Sequence, residues 1–328
     1  MTAMARNDRI LIASIQRYSV VVMLMVVVVA FASISKPFFT ASNLSNILLQ
    51  STATAIAAIG MTFVILTGEI DISIGSLMSL AMTLAWMVAV IPGAEAGQQA
   101  GVSAWVYPAG LAAGLSLGLI NGLLINTLRI NSFIATLATM FAFRGIAWKM
   151  VGSSDKAFAD SAVLFLGRTE LLGIGLPIYL VAAATVVAFV VLNRTPFGRY
   201  LYAMGGSPRS AVETGLPVNR LRVLAFGVCG MCTAIAGLIT IGRVGTLQAG
   251  LGSGFEFTVI AAVVLGGTSL LGGRGSVVGS ILGAILLVVI DNGLNLINAS
   301  VYIYDVVKGV ILIAAVVIDV ALLRRSSA

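Results

Sequence analysis

Residues 195–222 read TPFGRYLYAMGGSPRSAVETGLPVNRLR and form the one extended polar segment of an otherwise almost continuously apolar chain. With the two residues before it, this segment carries five arginines, four glycines and a single acidic residue, Glu213. The five arginines are Arg194, Arg199, Arg209, Arg220 and Arg222. Apolar runs on either side of a basic, glycine-punctuated loop predict a membrane-embedded helical bundle with one organised surface outside the bilayer.

The composition argues against a water-soluble globule. Hydrophobic residues make up 59% of the 328 positions, charged residues 9%, and the mean hydropathy is +1.08. That leaves too little polar surface to face water, so we expect an all-α, polytopic bundle formed by a single transmembrane domain. The formal net charge of +7 comes from 19 basic residues scattered between apolar runs. This pattern indicates membrane topology and contact with lipid head groups, not binding to nucleic acid.

The residue types present exclude most enzyme chemistry. The chain has no histidine, so histidine-based acid–base catalysis, catalytic triads and imidazole metal sites are ruled out. Its two cysteines, Cys229 and Cys232, lie in the apolar run after the basic loop. Zinc would need further ligands that the sequence does not supply there, so we expect both to pack as small buried hydrophobes. We predict no metal site and no cofactor bound by this chain.

Uncharged stretches long enough to cross a bilayer recur along the chain. A spanning helix needs about 20 mostly apolar residues. The ten predicted spans cover residues 18–35, 46–67, 72–91, 106–128, 132–150, 177–192, 223–242, 257–271, 276–296 and 304–323. The eighth is short and rich in glycine, so a spanning helix and a re-entrant segment are both open for it.

The distribution of basic residues predicts the orientation. If residues 1–17 form a cytoplasmic tail, twelve basic residues face the cytoplasm, five face the opposite side, and both termini are cytoplasmic. The twelve are Arg6, Arg9, Arg17, Arg129, the five loop arginines, Arg274, Arg324 and Arg325; the five are Lys36, Lys149, Lys156, Arg168 and Arg243. Residues 30–32 resemble a signal-peptide cleavage site, but an apolar run as long as a span favours a retained first helix.

Two of the predicted spans carry glycine at every fourth position. Span four has Gly110, Gly114, Gly118 and Gly122 with Asn121 and Asn126; span nine has Gly275, Gly279 and Gly283, followed by Asp291, Asn292 and Asn295. These spans lie five apart and run in opposite directions, as an inverted five-plus-five repeat would require. Glycines at this spacing also predict close helix packing, and the same smooth face would let helices slide during gating.

The link between spans two and three contains two carboxylates beside apolar helices. Residues 68–76 read GEIDISIGS, and each carboxylate would cost about 2.5–3.5 kcal/mol if it lay unpaired at the bilayer centre. Two interpretations are open. The segment is a tight cytoplasmic turn in which Ser73 or Asp71 caps span three, or it is a helix break that lines a path through the bundle.

Polar side chains late in span nine provide a second group of candidates. Asp291, Asn295 and Asn298 are spaced to share one helical face. Such a stripe suits a polyhydroxylated solute, and interhelical hydrogen bonding is the equal alternative. The candidates for a substrate path are Asp71, Ser73, Asn121, Asn126, Asp291, Asn292 and Asn295.

A glycine-rich run at residues 266–276 reads GGTSLLGGRGS and invites comparison with a phosphate-binding loop. A Walker loop ends in Gly-Lys followed by Ser or Thr, and none of the four lysines of this chain follows such a loop. Any ATP hydrolysis must therefore come from another polypeptide, and an intramembrane enzyme is the least favoured class.

Three motifs occur in order along the chain: LTGEIDISIGS, then TPFGRYLYAMGGSPRSAVETGLP, then VVLGGTSLLGGRGSVVGSILGA. Together they resemble the ribose-type permease family, the membrane subunits of ATP-binding-cassette (ABC) importers for monosaccharides and related small polar solutes. The resemblance covers nearly the whole chain. Three departures stand out. Ser207, Pro208 and Arg209 follow Gly206 where the family usually has Asn, and Ser210-Ala211-Val212 replaces its Ala-Ala pair. The commoner GGIDLS is here GEIDIS, with Glu69 in place of glycine.

The resemblance implies a plan similar to that of the cobalamin importers. About ten helices per subunit, two permeases, two cytoplasmic ATPases that use ATP and Mg, and an extracytoplasmic solute-binding protein would assemble at the bacterial inner membrane. Residues 194–220 become the cytoplasmic coupling loop that seats in the ATPase. The coupling residues implied are Gly198, Arg199, Gly205, Gly206, Glu213 and Gly215.

A rival class is an ion-coupled secondary transporter of a small polar solute. It would need a relay of ionisable residues inside the membrane, and Asp291, Arg144 and Lys308 are its candidate members. Uptake that collapses with an uncoupler but survives ATP depletion would favour this class. The sequence does not name the solute for either class.

Overall fold

A computed structural model describes residues 6–91, 101–152, 155–158, 162–300, 302–304, 306–311 and 313, with side chains from residue 19 onward. The helices within these residues are α1 (Arg6–Ile34), α2 (Ala41–Leu66), α3 (Ile74–Ala89), α4 (Val106–Leu128), α5 (Ser132–Val151), α6 (Ala162–Arg168), α7 (Leu176–Arg194), α8 (Pro196–Gly206), α9 (Pro208–Glu213), α10 (Val218–Val244), α11 (Phe255–Leu265) and α12 (Val277–Leu296). A 3-10 turn, Lys36–Phe39, joins α1 to α2.

Extended structure is confined to two-residue strands in the part of the chain described. β1 (Lys156–Ala157) pairs antiparallel with β4 (Thr246–Leu247), and β2 (Glu170–Leu171) pairs antiparallel with β3 (Ile174–Gly175). The predicted all-α class is therefore confirmed.

Helices lie over nine of the predicted spans, the described residues 304, 306–311 and 313 of the tenth are helical as well, and α4 matches its prediction at both ends. Within the described residues, six helices are long and apolar enough to cross a membrane: α2, α4, α5, α7, α10 and α12. The ten-span count stays a prediction, because residues 314–323 of the tenth lie outside the described residues.

The eighth predicted span is corrected by the structure. Its helix, α11, covers Phe255–Leu265 and ends six residues before the predicted boundary at Leu271. The helix stops where Gly266 and Gly267 begin a turn, and Gly267 has a positive φ of 83°, a conformation that ends helices. At about 1.5 Å per residue, eleven residues reach only about 16 Å, roughly half the hydrocarbon thickness.

The helices α2 and α10 form the centre of the bundle. Every residue of α2 from Ser51 to Leu66 is buried, and α2 packs against α10, α12, α11 and α7. Within this core, the Thr62 hydroxyl donates to Ala58 O at 2.6 Å, so its polar group is paired inside its own helix. In contrast, α7 is apolar but mostly exposed, which is the arrangement expected of a lipid-facing helix.

The glycine stripes pack against neighbouring helices, as predicted. In α4, a Cβ added at Gly114 or Gly118 would collide with the backbone of α10 at Gly230 or Phe226. In α12, a Cβ at Gly283 would collide with Ala262 O of α11. The two stripes therefore allow two separate close contacts, α4 with α10 and α12 with α11.

Helix packing follows a matched pattern in the two halves of the chain. In the first half α3 packs against α4, which packs against α10; in the second half α11 packs against α12, which packs against α2. The order of contacts among predicted spans three, four and seven is therefore the same as the order among spans eight, nine and two. Each span in the first set lies five positions from its counterpart in the second. This agrees with the expected internal repeat, although the inverted five-plus-five symmetry itself stays a prediction.

Candidate coupling region and interior polar sites

The basic segment folds into two short helices between α7 and α10. α8 begins at Pro196, and the Thr195 hydroxyl caps it by accepting from Gly198 N at 3.4 Å. A side chain at Gly198 would collide with the backbone of Leu192, so this glycine lets α8 turn closely against the end of α7. The candidate coupling segment, residues 194–220, is thereby held at a defined angle to α7.

The centre of this segment forms the short helix α9. Ser207 caps it by accepting from Ser210 N at 3.4 Å, and Gly215 ends it with a φ of 78°. Arg209 and Glu213 form an ion pair of 2.9 Å on its outer surface. Because both side chains are exposed, the pair contributes little to stability and leaves Glu213 at a surface that a partner can reach.

α8 is attached to the core of the bundle by backbone contacts. A Cβ on Gly205 would collide with Leu66 O at the end of α2 and with Gly273 N. Gly273 N donates to Leu66 O at 3.0 Å, and the Tyr202 hydroxyl donates to Gly275 O at 2.9 Å. Burial raises the pKa of Tyr202, which keeps this donor protonated. The coupling segment therefore meets α2 and the 266–276 loop at one end of the molecule.

A partly buried ion pair adds a second attachment at this end. Arg222, in the first turns of α10, donates from Nε to Glu69 Oε1 at 2.8 Å and from Nη1 to Asn126 Oδ1 at 2.6 Å. Asn126 Nδ2 in turn donates to Asn219 O at 2.7 Å. Glu69, the departure from the common family motif, thus joins the 67–73 segment to α10 and α4.

Asp71, Ser73 and Asn121 are brought together in one fully buried cluster. Asp71 Oδ1 accepts from Ser73 N at 2.9 Å and from Ser73 Oγ at 2.7 Å, while Asn121 Nδ2 donates to Ser73 Oγ at 2.7 Å. Burial raises the pKa of the Asp71 carboxyl, and these hydrogen bonds oppose that shift. The cluster holds the break before α3, with Asp71 and not the Ser73 hydroxyl accepting from the backbone. A role in the substrate path stays a prediction for all three.

The candidates in α12 lie at the opposite end of the molecule. Asn292 exchanges two hydrogen bonds of 2.9 Å with Asn43 of α2. This is interhelical hydrogen bonding, the alternative to a solute-binding stripe. Asp291 Oδ2 lies 2.9 Å from Lys308 Nζ, and Asn295 is exposed. The predicted stripe is corrected at Asn298, which follows the end of α12 with a φ of 53° and therefore does not share its face.

Glu256 and Ser253, which the sequence did not single out, lie beside Arg144 between α5 and α11. Glu256, in the first turn of α11, is buried, and its Oε2 lies 3.8 Å from Arg144 Nη2. Arg144 Nη1 donates to Ser253 Oγ at 2.5 Å. The sequence signal that could have identified this site is Glu256 itself, a single acidic residue directly before the predicted span that begins at residue 257. Arg144 and Lys308 therefore belong to separate ion pairs, and Asp291, Arg144 and Lys308 do not form one relay within the described residues.

The cysteines of the C-x-x-C sequence are free and buried. A Cβ at Gly60 of α2 would collide with Cys232 Cβ and Cys229 Cα. The two cysteines thus sit at a close approach of α10 to α2, which confirms that they pack as small apolar side chains.

Comparison with known proteins places this arrangement in a family. The model of a family described as "Branched-chain amino acid transport system / permease component" matches residues 43–316. The chain is 38% identical over 300 residues to the ribose import permease protein RbsC of Escherichia coli K12, covering 90% of this chain and 91% of that protein. It is 38% identical over 307 residues to RbsC of Bacillus subtilis 168, covering 93% and 92%.

A relative named for another sugar also matches. The L-arabinose transport system permease protein AraH of Escherichia coli K12 is 34% identical over 304 residues, covering 92% of this chain and 90% of that protein. No solved structure matches the chain significantly. The matches span most of both partners, and the apolar helices fit a multi-pass inner-membrane protein. The chain therefore belongs to the ribose-type permease family of ABC importers, as its three motifs predicted, and it is a permease component and not an enzyme.

Proposed function

We propose that this chain forms the translocation path of an ABC importer for a sugar or a similar small polar solute. In this proposal two permeases, each with ten spans and a cobalamin-importer-like plan, enclose the path, and separate ATPase subunits bind and hydrolyse ATP with Mg. A solute-binding protein delivers the solute from outside. Both termini and the coupling region at residues 194–220 face the cytoplasm, in agreement with the basic residues there.

The observation that carries the proposal is the backbone contact between α8 and the core. Gly205 touches Leu66 O and Gly273 N, so a displacement of α8 is transmitted to α2 and to the loop before α12 without a flexible side chain between them. An allosteric link of this kind requires that the two sites share an element with two arrangements. In the proposed mechanism the ATPase moves α8 and α9, and the helices around the path follow.

The identity of the solute rests on the relatives. The printed family description refers to branched-chain amino acids, whereas the matching proteins are named for ribose and L-arabinose. These relatives are more than a third identical to this chain over most of its length, so we favour a sugar as the solute. Branched-chain amino acids are the competing solute and belong in the same assay.

Reconstitution tests the proposal directly. The permease is placed in liposomes with its partner ATPase and solute-binding protein, and uptake of labelled ribose, L-arabinose and leucine is measured with and without ATP inside. We expect accumulation only when all three proteins and ATP are present. Accumulation by the permease alone, or uptake that an uncoupler abolishes and ATP depletion does not, would support an ion-coupled transporter and contradict the proposal.

Adjacent glycines provide a matched pair of variants for the coupling step. Gly205→Ala places a methyl group against the backbone of Leu66 and Gly273, whereas Gly206→Ala meets nothing within 4 Å. We expect Gly205→Ala to lower ATP-driven uptake by at least about tenfold, since overpacked contacts cost roughly 1–3 kcal/mol. The resemblance groups Gly206 with Gly205 as a coupling residue, but the free space beside Gly206 favours Gly205 alone as the contact, so Gly206→Ala should retain uptake near the wild-type rate. Equal behaviour of the two variants would show that this contact does not transmit the motion.

A further inference from the structure

The ion pair of Arg144 and Glu256 lies well inside the membrane-embedded bundle. Arg144 is the thirteenth of the 20 residues of α5, so its Cα lies about 18 Å from the start of that helix and about 10 Å from its end. Gly252, just before α11, contacts Gly75 in the first turn of α3. The loop before α11 therefore enters the bundle at a similar depth, and ionisable residues at this depth are uncommon unless they serve a function.

Several polar atoms of this cluster have no hydrogen-bond partner among the described residues. They are Arg144 Nε, Arg144 Nη2 and Glu256 Oε2, all of them buried. The Glu256 side chain is only 5% exposed, and its distance of 3.8 Å from Arg144 is too long for a hydrogen bond. The site therefore offers two unused donors and one unused acceptor side by side, at a considerable desolvation cost.

The loop beside the cluster has an open surface. Ser253 and Gly254 are exposed, and Gly252 and Gly254 adopt positive φ angles of 74° and 77°. Non-helical backbone at membrane depth is stable only where protein buries it or where it lines a water-filled cavity, because lipid cannot satisfy its polar groups. This face of the bundle is therefore not a lipid face.

We propose that Arg144, Ser253 and Glu256 contact the hydroxyl groups of a neutral polyhydroxylated solute in the path and thereby help to set specificity. Neighbouring hydroxyls of such a solute can accept from the guanidinium and donate to the carboxylate. A neutral solute leaves the opposite charges paired, whereas a free amino acid would have to separate them. The inference rests on the proposed transport function and assigns its solute-contacting residues.

Water accessibility provides a test that does not depend on the identity of the solute. Ser253→Cys is exposed to a membrane-impermeant methanethiosulfonate reagent in intact membranes, with Val187→Cys as control. Val187 is 62% exposed in the middle of α7, the helix that we assign to lipid, and the native cysteines are buried. We expect Ser253→Cys to react at least about tenfold faster than the control, because the thiolate forms only in water. Equal, slow labelling would overturn the inference.

Uptake kinetics test the contact with the solute. In the reconstituted importer, Glu256→Gln should raise the KM for ribose by roughly tenfold, the effect of one lost charge-assisted hydrogen bond, and should change Vmax less. It should also alter the preference between ribose and L-arabinose. Ser253→Ala, a milder change, should shift KM in the same direction and keeps the test valid if Glu256→Gln does not fold. A fall in Vmax alone, equal for both sugars, would indicate a structural pair and overturn the inference.

The outcomes separate this inference from the function beneath it. Uptake of ribose, L-arabinose or leucine that needs no ATPase subunit, or that survives ATP depletion, contradicts the proposed function. A wild-type importer that accumulates ribose or L-arabinose, with an unchanged KM and preference in both variants, overturns only the assignment of these residues. ATP-driven uptake of leucine alone contradicts a polyhydroxylated solute.

Discussion

The proposed coupling end of the molecule, where α8 meets α2 and the 266–276 loop, and the interior site around Glu256 use polar groups in opposite ways. At the coupling end, Arg222 is bonded to both Glu69 and Asn126, and backbone touches backbone at Gly205 and Gly273. In the interior, Arg144 and Glu256 stand 3.8 Å apart with buried atoms unpaired. Completed contacts suit a region that transmits movement, and spare hydrogen-bonding capacity suits a region that binds and releases a solute.

This difference predicts that substitutions that add side-chain volume destabilise the protein more at the coupling end than at the interior site. Gly272 and Gly267 both have a φ of 83°, but a Cβ at Gly272 would collide with Gly68 N and Gly205 Cα, whereas one at Gly267 meets nothing within 4 Å. Alanine at either position costs about 1–2 kcal/mol of backbone strain, and at Gly272 overpacking adds roughly 1–3 kcal/mol.

The measurement is the yield and thermal stability of each variant purified in detergent. We expect Gly272→Ala to be recovered poorly and to have lost uptake, and Gly267→Ala to be folded and only modestly destabilised. If both variants have the same melting temperature, the backbone contacts at the coupling end are looser than the structure indicates, and the contrast with the interior site weakens.

A smaller effect is expected at the interior site. A Cβ at Gly75 would collide with Gly252 O and Glu256 Oε2, whereas a Cβ at Gly250 meets nothing within 4 Å. Gly75→Ala should displace the loop before α11 and with it Glu256, and lower uptake by about tenfold in a protein that still inserts, at a cost of roughly 1–3 kcal/mol. Gly250→Ala, in the same loop, is the control and should transport normally. Normal uptake by Gly75→Ala would mean that the position of Glu256 does not matter for transport.

Local sequence patterns predicted the helices well and the interior site poorly. The boundaries of α4 and the close packing of its glycines follow from apolar length and from a period of four, which are properties of neighbouring residues. Glu256 was overlooked because its partner Arg144 lies on another helix more than a hundred positions away. The end of α11 was misplaced because Leu270 and Leu271 extend the apolar run beyond the glycines that end the helix.

The predicted path residues illustrate the same limit. Spacing placed Asp71 and Ser73 near a helix start, which is correct, but only the fold brings Asn121 to the Ser73 hydroxyl. Spacing also grouped Asn298 with Asp291 on one helix face, and the helix ends before Asn298. Glu69 was noted as a departure from the family motif, and its role at the coupling end became visible only through Arg222, which is 153 residues away in the chain.

The smallest expected effect belongs to the ion pair of Glu69 and Arg222. The side chains of Glu69 and Arg222 are 15% and 21% exposed. The strength of this ion pair is therefore expected to lie between that of an exposed pair and that of a fully buried pair, and Glu69→Gln should cost about 1–2 kcal/mol of stability. A double-mutant cycle with Glu69→Gln and Arg222→Gln, read from thermal unfolding in detergent, measures the coupling directly. We expect the double variant to lose about 1 kcal/mol less than the sum of the single variants. If the losses are additive, the 67–73 segment is held to α10 by packing alone, and a completed polar contact no longer distinguishes this end from the interior site.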